Sequence, residues 1–206
     1  MIVITADQRD SRSSSDAVPA ALEIIERVGG TAIELTPERT AGDEIQTVVA
    51  DGSAALAIAL ELVRTGRWSV GLGLGDIRSP VPPSVREATG AAFIAARDAV
   101  DRSKRSPTHC AVASDPPHEV AERIEALLDM LLILRHRRSA AGWEVADLVR
   151  NGVSQTDVAV ILGISPQSVS QRARAANVKA DAAATVAIAS LLDEAVERLA
   201  QKGSEA

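Results

Sequence analysis

Aromatic residues are almost missing from this chain. Its 206 residues include one Phe, two Trp and no Tyr, which leaves no material for the rows of exposed rings on which unpaired bases of RNA or single-stranded DNA stack. Cysteine is nearly absent as well. Cys110 stands alone, so no intramolecular disulfide can form, no Cys/His cluster has zinc spacing, and the thiol reads as a free core residue. Long apolar runs are also lacking. The best, "ALLDMLLIL" at 126–134, contains Asp129 and is about half of what a membrane-spanning helix needs. The start, "MIVITADQRD", has no basic stretch leading into the apolar core of a signal peptide. These absences predict a cytoplasmic protein that does not enter a membrane.

What remains is ordinary in bulk and uneven in detail. Hydrophobic residues make up 46% and charged residues 24%, enough for one large domain or two small ones with a real core. The formal charge of −6 argues against nucleic acid for the chain as one body, but its distribution is asymmetric. Between 135 and 179 lie the basic residues Arg135, Arg137, Arg138, Arg150, Arg172, Arg174 and Lys179, against the acids Glu144, Asp147 and Asp157. An acidic protein thus carries a basic island.

Periodicity divides the chain near "SDPPHE", 114–119. Before it, strands and helices alternate. "IVITA" reads as a strand and "SDAVPAALEIIERVGG" as a helix with a Gly-Gly stop; then come the strands "TAIEL" and "IQTVVA" and the helix "SAALAIALELVRTG". The strand "WSVGLGLG", a Pro-rich loop, the helix "GAAFIAARDAVDRSK" and the strand "HCAVAS" complete the series. After the break everything reads as helical. The spacing predicts an α+β protein: an α/β domain over 1–114, a linker or dimerisation helix over 115–138, and an all-helical domain over 139–206. A helix between the first two strands and a tight hairpin between the second and third fit a ferredoxin-like sheet with helices on one face.

In such a sheet the end of the first strand lies beside the hairpin, so Asp7 would face Asp43 of "ERTAGDEIQ". Two close carboxylates repel unless a cation separates them, and two hard oxygen ligands with a substrate phosphate suit Mg²⁺. The alternative is structural: Asp7 opens a loop, and Gly42-Asp43 forms a turn, Gly supplying positive φ and Asp capping its own backbone.

The segments around these residues resemble the class III nucleotidyl cyclases and their palm-like relatives. Asp7 and Gly42-Asp43 match that family's metal aspartates, "VGLGLG" its following strand, and "FIAAR", 93–97, its Asn-x-Ala-Ala-Arg-like helix. The resemblance implies a metal at Asp7 and Asp43 and a purine nucleotide held by Arg39, Gly42 and Arg97, with Mg²⁺ bound alongside it. Phe93 stands where the family has its transition-state Asn and cannot donate a hydrogen bond. "QRDSR" after Asp7 also departs from the family pattern. These departures imply a degenerate domain that binds without turnover and has no catalytic residue of its own. The active alternative is a purine nucleotidyl cyclase or nucleotidyltransferase. The layout also resembles the SatD-like bacterial proteins, which pair such a region with a C-terminal helix-turn-helix.

The segment "SQTDVAVILGISPQSVSQRARAANV", 154–178, is the most informative in the chain. Ser154 can cap a first helix, Ala159 is small where two helices approach, and Gly163 follows at the turn. Ser165 caps a second helix whose first position is Pro166, where a missing N–H costs nothing. Val169 and Ala173 face inward at i, i+4. The pattern predicts a helix-turn-helix and resembles that of sigma-factor region four; the plainer alternative is a helical hairpin with a polar face. Gln167, Ser168, Gln171 and Arg172 are the expected base readers, since Gln and Arg match adenine and guanine edges, while Ser170, Arg174 and Lys179 are the expected phosphate contacts.

Two flanking helices complete the reading. "EVAERIEALLDMLLILRHRR" is apolar around much of its circumference, and the stripe of the last helix comprises Ile188, Leu191, Leu192, Ala195, Val196 and Leu199. Either could pack within the chain or pair two copies. The expectation is a regulator of bacterial type that binds double-stranded DNA as a homodimer, its cyclase-like N-terminal domain sensing a nucleotide or fixing the dimer.

Overall fold

The computed structural model describes residues 1–205. It is a mixed α+β protein with one five-stranded sheet and eight α-helices among the described residues. It divides into two compact units, one comprising Met1–Asp129 with the chain from Ile188 on, the other Met130–Ala187.

The first unit runs β1 (Ile2–Gln8), α1 (Val18–Gly29), β2 (Ile33–Arg39), β3 (Glu44–Val49), α2 (Gly52–Arg64), β4 (Trp68–Leu74), α3 (Ala91–Ser103) and β5 (Cys110–Ser114), followed by most of α4 (Glu119–His136). The strand order is β2-β3-β1-β4-β5. Strand β1 lies antiparallel between β3 and β4, β2 pairs antiparallel with β3, and β5 adds parallel to β4.

Alternation of side chains sorts the sheet into two faces. Val3 sits opposite both Val48 and Gly73, and this row receives α3. The glycines of β4 explain how closely. A Cβ on Gly71 would collide with the backbone of Ala96, Ala99 and Val100, and one on Gly73 with the backbone of Ala92 and Ala96. Small residues on both sides let a helix backbone rest directly on a strand. The other row, Ile2, Ile4 and Ala6 with Val70, Leu72 and Leu74, is equally buried, and α1 and α2, which pack on one another, cover it. The sheet is therefore covered on both faces rather than one. The reason is the fifth strand: its connection from β4 carries α3, whose alanines fit only against the glycine row.

The sheet edge at β5 is closed by side chains of α4. Glu125 accepts the Val112 N–H at 2.7 Å and also takes Arg102 at 2.8 Å, while Asp129 accepts the Thr108 hydroxyl at 2.5 Å. An edge strand so occupied offers fewer free backbone groups to another chain. Helix α2 starts at Asp51, which accepts the Ala54 N–H at 2.8 Å, and the Gly52 N–H donates to Asp193 at 2.6 Å.

In the second unit, α5 (Ala140–Arg150), α6 (Gln155–Leu162) and α7 (Pro166–Ala175) are followed by the first turns of α8 (Val178–Glu205). The starts of α5, α6 and α7 each have a serine cap: Ser139 accepts from Gly142, Ser154 from Asp157 and Ser165 from Ser168. Gly163 ends α6 in the left-handed region, φ 63° and ψ 34°, which a residue lacking Cβ adopts without strain. Val145, Val158, Ala159, Val169 and Ala173 form one buried cluster. Helix α8 is one continuous helix of 28 residues. Its portion with buried Ile188, Leu192 and Ala195 groups with the first unit. Among the described residues no single helix is long and apolar enough to cross a membrane.

Candidate functional site

Two places gather the side chains singled out by the sequence. The first is the end of the sheet where β1 leaves and the hairpin turns. Asp7 sits opposite Glu44 and Ser69 in the ladder, so the carboxylate sharing its face is that of Glu44 rather than Asp43. The hairpin loop spans 40–43, with Gly42 at φ 58°, and β3 enters the ladder one residue after Asp43. Asp43 contributes its backbone carbonyl, which accepts the Gln8 N–H at 3.3 Å.

Helix α3 supplies the cations here. Lys104 Nζ lies 3.0 Å from Asp7. Arg97 takes buried Glu44 with both terminal nitrogens, Nη2 at 3.0 Å from Oε1, and Thr40 adds a hydroxyl at 2.7 Å. The Lys104 ammonium is held above its usual range by its bonds to Asp7 and Asp101, although burial, the largest single influence, works the other way. Arg39 pairs with Asp16 and donates to the Gly42 carbonyl at 3.3 Å; this pairing and the Val18 N–H lower the Asp16 pKa. Arg39, Gly42 and Arg97 therefore lie around one hairpin, and each arginine has a carboxylate partner. Among the described residues no group of three His, Cys, Asp or Glu side chains is placed to hold a metal.

Sequence reading did not single out Lys104, Glu44 or Gln8. Gln8 is buried and ties down the loop after β1, donating to Ser14 at 2.9 Å and to the Ser15 carbonyl at 2.8 Å, and accepting the Ala17 N–H at 2.8 Å. The strand alternation of "ITADQ" could have placed Gln8 on the inner face; its partners follow only from the folded loop. "VGLGLG" and "FIAAR" together have a packing role, the seating of α3 on β4. Phe93 is part-buried against the core cluster that includes Val3, Leu35 and Val48, in that same layer.

The second place is α7. Gln167, Gln171 and Arg174 are exposed, Ser168, Ser170 and Arg172 are half-buried, and Val169 and Ala173 are buried. The Ser168 hydroxyl is bonded to the capping Ser165 at 2.9 Å. Arg172 reaches Glu144 of α5 at 3.3 Å, and Arg174 Nε donates to the Ser170 carbonyl at 3.3 Å. Lys179 is exposed in the first turn of α8, separated from α7 by Asn177 at φ 53°.

The basic island is smaller in space than in sequence. Arg135 and Arg138 are buried on Asp181, Arg150 pairs with Asp147 at 2.5 Å and Arg172 with Glu144. Arg137, Arg174 and Lys179 remain exposed. Comparison with protein-family models, curated proteins and solved structures gives no match for this chain.

Proposed function

We propose that the protein is a transcriptional regulator that binds double-stranded DNA in the cytoplasm as a homodimer, with α6 and α7 forming a helix-turn-helix and α7 reading the major groove. The two-faced character of α7 carries this reading. Its apolar residues Val169 and Ala173 are locked against α5 and α6, while the side-chain amides of Gln167 and Gln171 are exposed and make no hydrogen bond among the described residues. Free amides on a rigid, capped helix suit bidentate contact with adenine edges. Ser168 and Arg172 are further base contacts, Arg172 once released from Glu144. Ser170, Arg174 and Lys179 are the phosphate contacts.

For the first unit the reading is a ferredoxin-like, cyclase-related domain, supported by the antiparallel order β2-β3-β1-β4 with a helix in each long connection. Its role is nucleotide sensing or dimer formation. Arg97 and Lys104 are the cations available to a nucleotide's phosphates, and both would have to exchange a carboxylate partner for the ligand. Dimerisation is supported by α4, which leaves Leu127, Met130 and Ile133 exposed at 44, 69 and 51%; isolated apolar side chains are common on surfaces, but three within two turns form a stripe.

The test is selection of binding sites from a random duplex pool at low salt, followed by anisotropy titration of the selected duplex. A specific site with two half-sites is the expected outcome, and absence of any affinity for duplex DNA would overturn the reading. Calorimetry with ATP and GTP, with and without Mg²⁺ and with Asp43→Ala alongside, tests the sensing role separately.

A further inference from the structure

The second unit contains a cavity of about 340 Å³ between α5, the end of α4 and the start of α8. One side carries the guanidinium groups of Arg135 and Arg138 around a single carboxylate. Arg135 donates to both oxygens of Asp181 at 2.6 and 2.8 Å and to the Thr185 hydroxyl at 3.3 Å; Arg138 donates to Asp181 at 3.1 Å and to the Ala176 carbonyl at 3.0 Å. Both arginine side chains are more than nine-tenths buried, 8 and 2% exposed. Two cations on one anion leave a surplus positive charge, and Arg150 on the rim is already accompanied by Asp147. Burial pushes the Arg138 guanidinium down, Asp181 holds it up, and Arg135 and Arg150 add to the depression.

The hydrogen-bond count points the same way as the charge. Each guanidinium has five N–H donors, yet Nη1 of Arg135 and Nη1 of Arg138 have no acceptor among the described residues. These N–H groups are open to the cavity rather than enclosed, and a surplus charge in a largely buried cluster is costly when nothing answers it. The rest of the lining is largely apolar: the Trp143 ring, on which Arg138 stacks at 4.4 Å, with Ala146, Val149, Val178 and Ala182.

We propose that this cavity binds a small organic carboxylate with a flat apolar body, its carboxylate taken by the free N–H groups of Arg135 and Arg138 and its body lying against Trp143 and Val149. A guanidinium fork matches a carboxylate bidentately. One negative charge neutralises the surplus, and the volume falls within the range of small-molecule sites. Inorganic phosphate would meet the charge but leave the apolar walls unfilled.

The full chain is titrated by calorimetry and thermal melting with benzoate and indole-3-acetate, against benzamide, indole-3-acetamide and phosphate at matched ionic strength. At least one carboxylate is expected to give saturable heat and a raised Tm where its amide and phosphate do not. Ala182→Leu, which fills the cavity from an exposed helix position without touching the ion cluster, should weaken that binding by about tenfold or more with an unchanged circular dichroism spectrum. Arg138→Lys, which keeps the charge and loses the fork, should weaken it as well. Silence from both carboxylates, an equal response from the amides or phosphate, or unaltered binding in Ala182→Leu would each overturn the proposal. None of these outcomes depends on whether the protein binds DNA.

Discussion

Cys110 and His109 are neighbours whose pKa values burial shifts in opposite directions, each toward the neutral form. Cys110 is enclosed in β5, and burial, with Asp129 and Glu125 adding to it, pushes its thiol up to about 12. A thiol without access or thiolate character is inert; we expect no reaction with an aromatic disulfide reagent in the native protein and stoichiometric reaction in denaturant, read by absorbance. His109 has a buried ring Nδ1 without a partner among the described residues, and burial, followed by Arg9, lowers its pKa from 6.5. The unfolded chain therefore takes up this proton at a higher pH than the folded one. As pH falls below the unfolded value, stability falls with it, down to the lowered folded value. Urea unfolding at about pH 7.5 and about pH 5.5 should show a smaller loss for His109→Asn than for the natural chain. Asn tolerates the left-handed backbone there, φ 52°, so parallel slopes for the two proteins would assign the pH dependence to other groups.

Elements are decided by short-range grammar and by contact, in different proportions. The caps Ser154 and Ser165, the turn at Gly163 and the inward pair Val169/Ala173 are all where the sequence places them, because each depends on neighbours within four residues. Ser165→Ala should cost about 1 kcal/mol and leave the Ser168 N–H without its acceptor, measured by thermal melting. Strand β4 is different. "VGLGLG" gives no sign of which partner needs its glycines; only the approach of α3 does. Gly73→Ala should destabilise by about 3 kcal/mol, since the methyl group meets helix backbone that has no flexible side chain to yield. A loss below about 1 kcal/mol in denaturant titration would mean that α3 can shift.

At the scale of the molecule, the predictions concern what α7 and its surroundings present to a partner. With DNA, Gln171→Ala should cost about 1–3 kcal/mol and relax preference at one base pair, whereas Lys179→Ala should weaken all duplexes alike and lower the salt slope by about one per subunit. Anisotropy titrations over a salt series distinguish the two patterns. The small exposed basic surface makes the salt slope of a single copy modest, and a dimer doubles it. Sedimentation of Met130→Glu against the natural chain tests whether α4 pairs two copies; loss of a dimer is the expected result.

By itself, the sequence determined the alternation of strands and helices up to residue 114, the helical remainder and the capped turn at Ser165. These are written in local patterning: alternation of two, recurrence near 3.6, and turn residues at fixed offsets. The tertiary structure decided what lies across space. The ladder register gave Glu44, not Asp43, the place beside Asp7; Lys104 and Arg97 arrived on α3 from about 50 to about 100 residues away in the chain; and Asp181 drew Arg135 and Arg138 out of the basic island into a buried cluster. The physical reason is one of range: backbone preferences act within a turn or a pleat, whereas the partner of a charge is whichever opposite group the packed elements bring within about 3 Å.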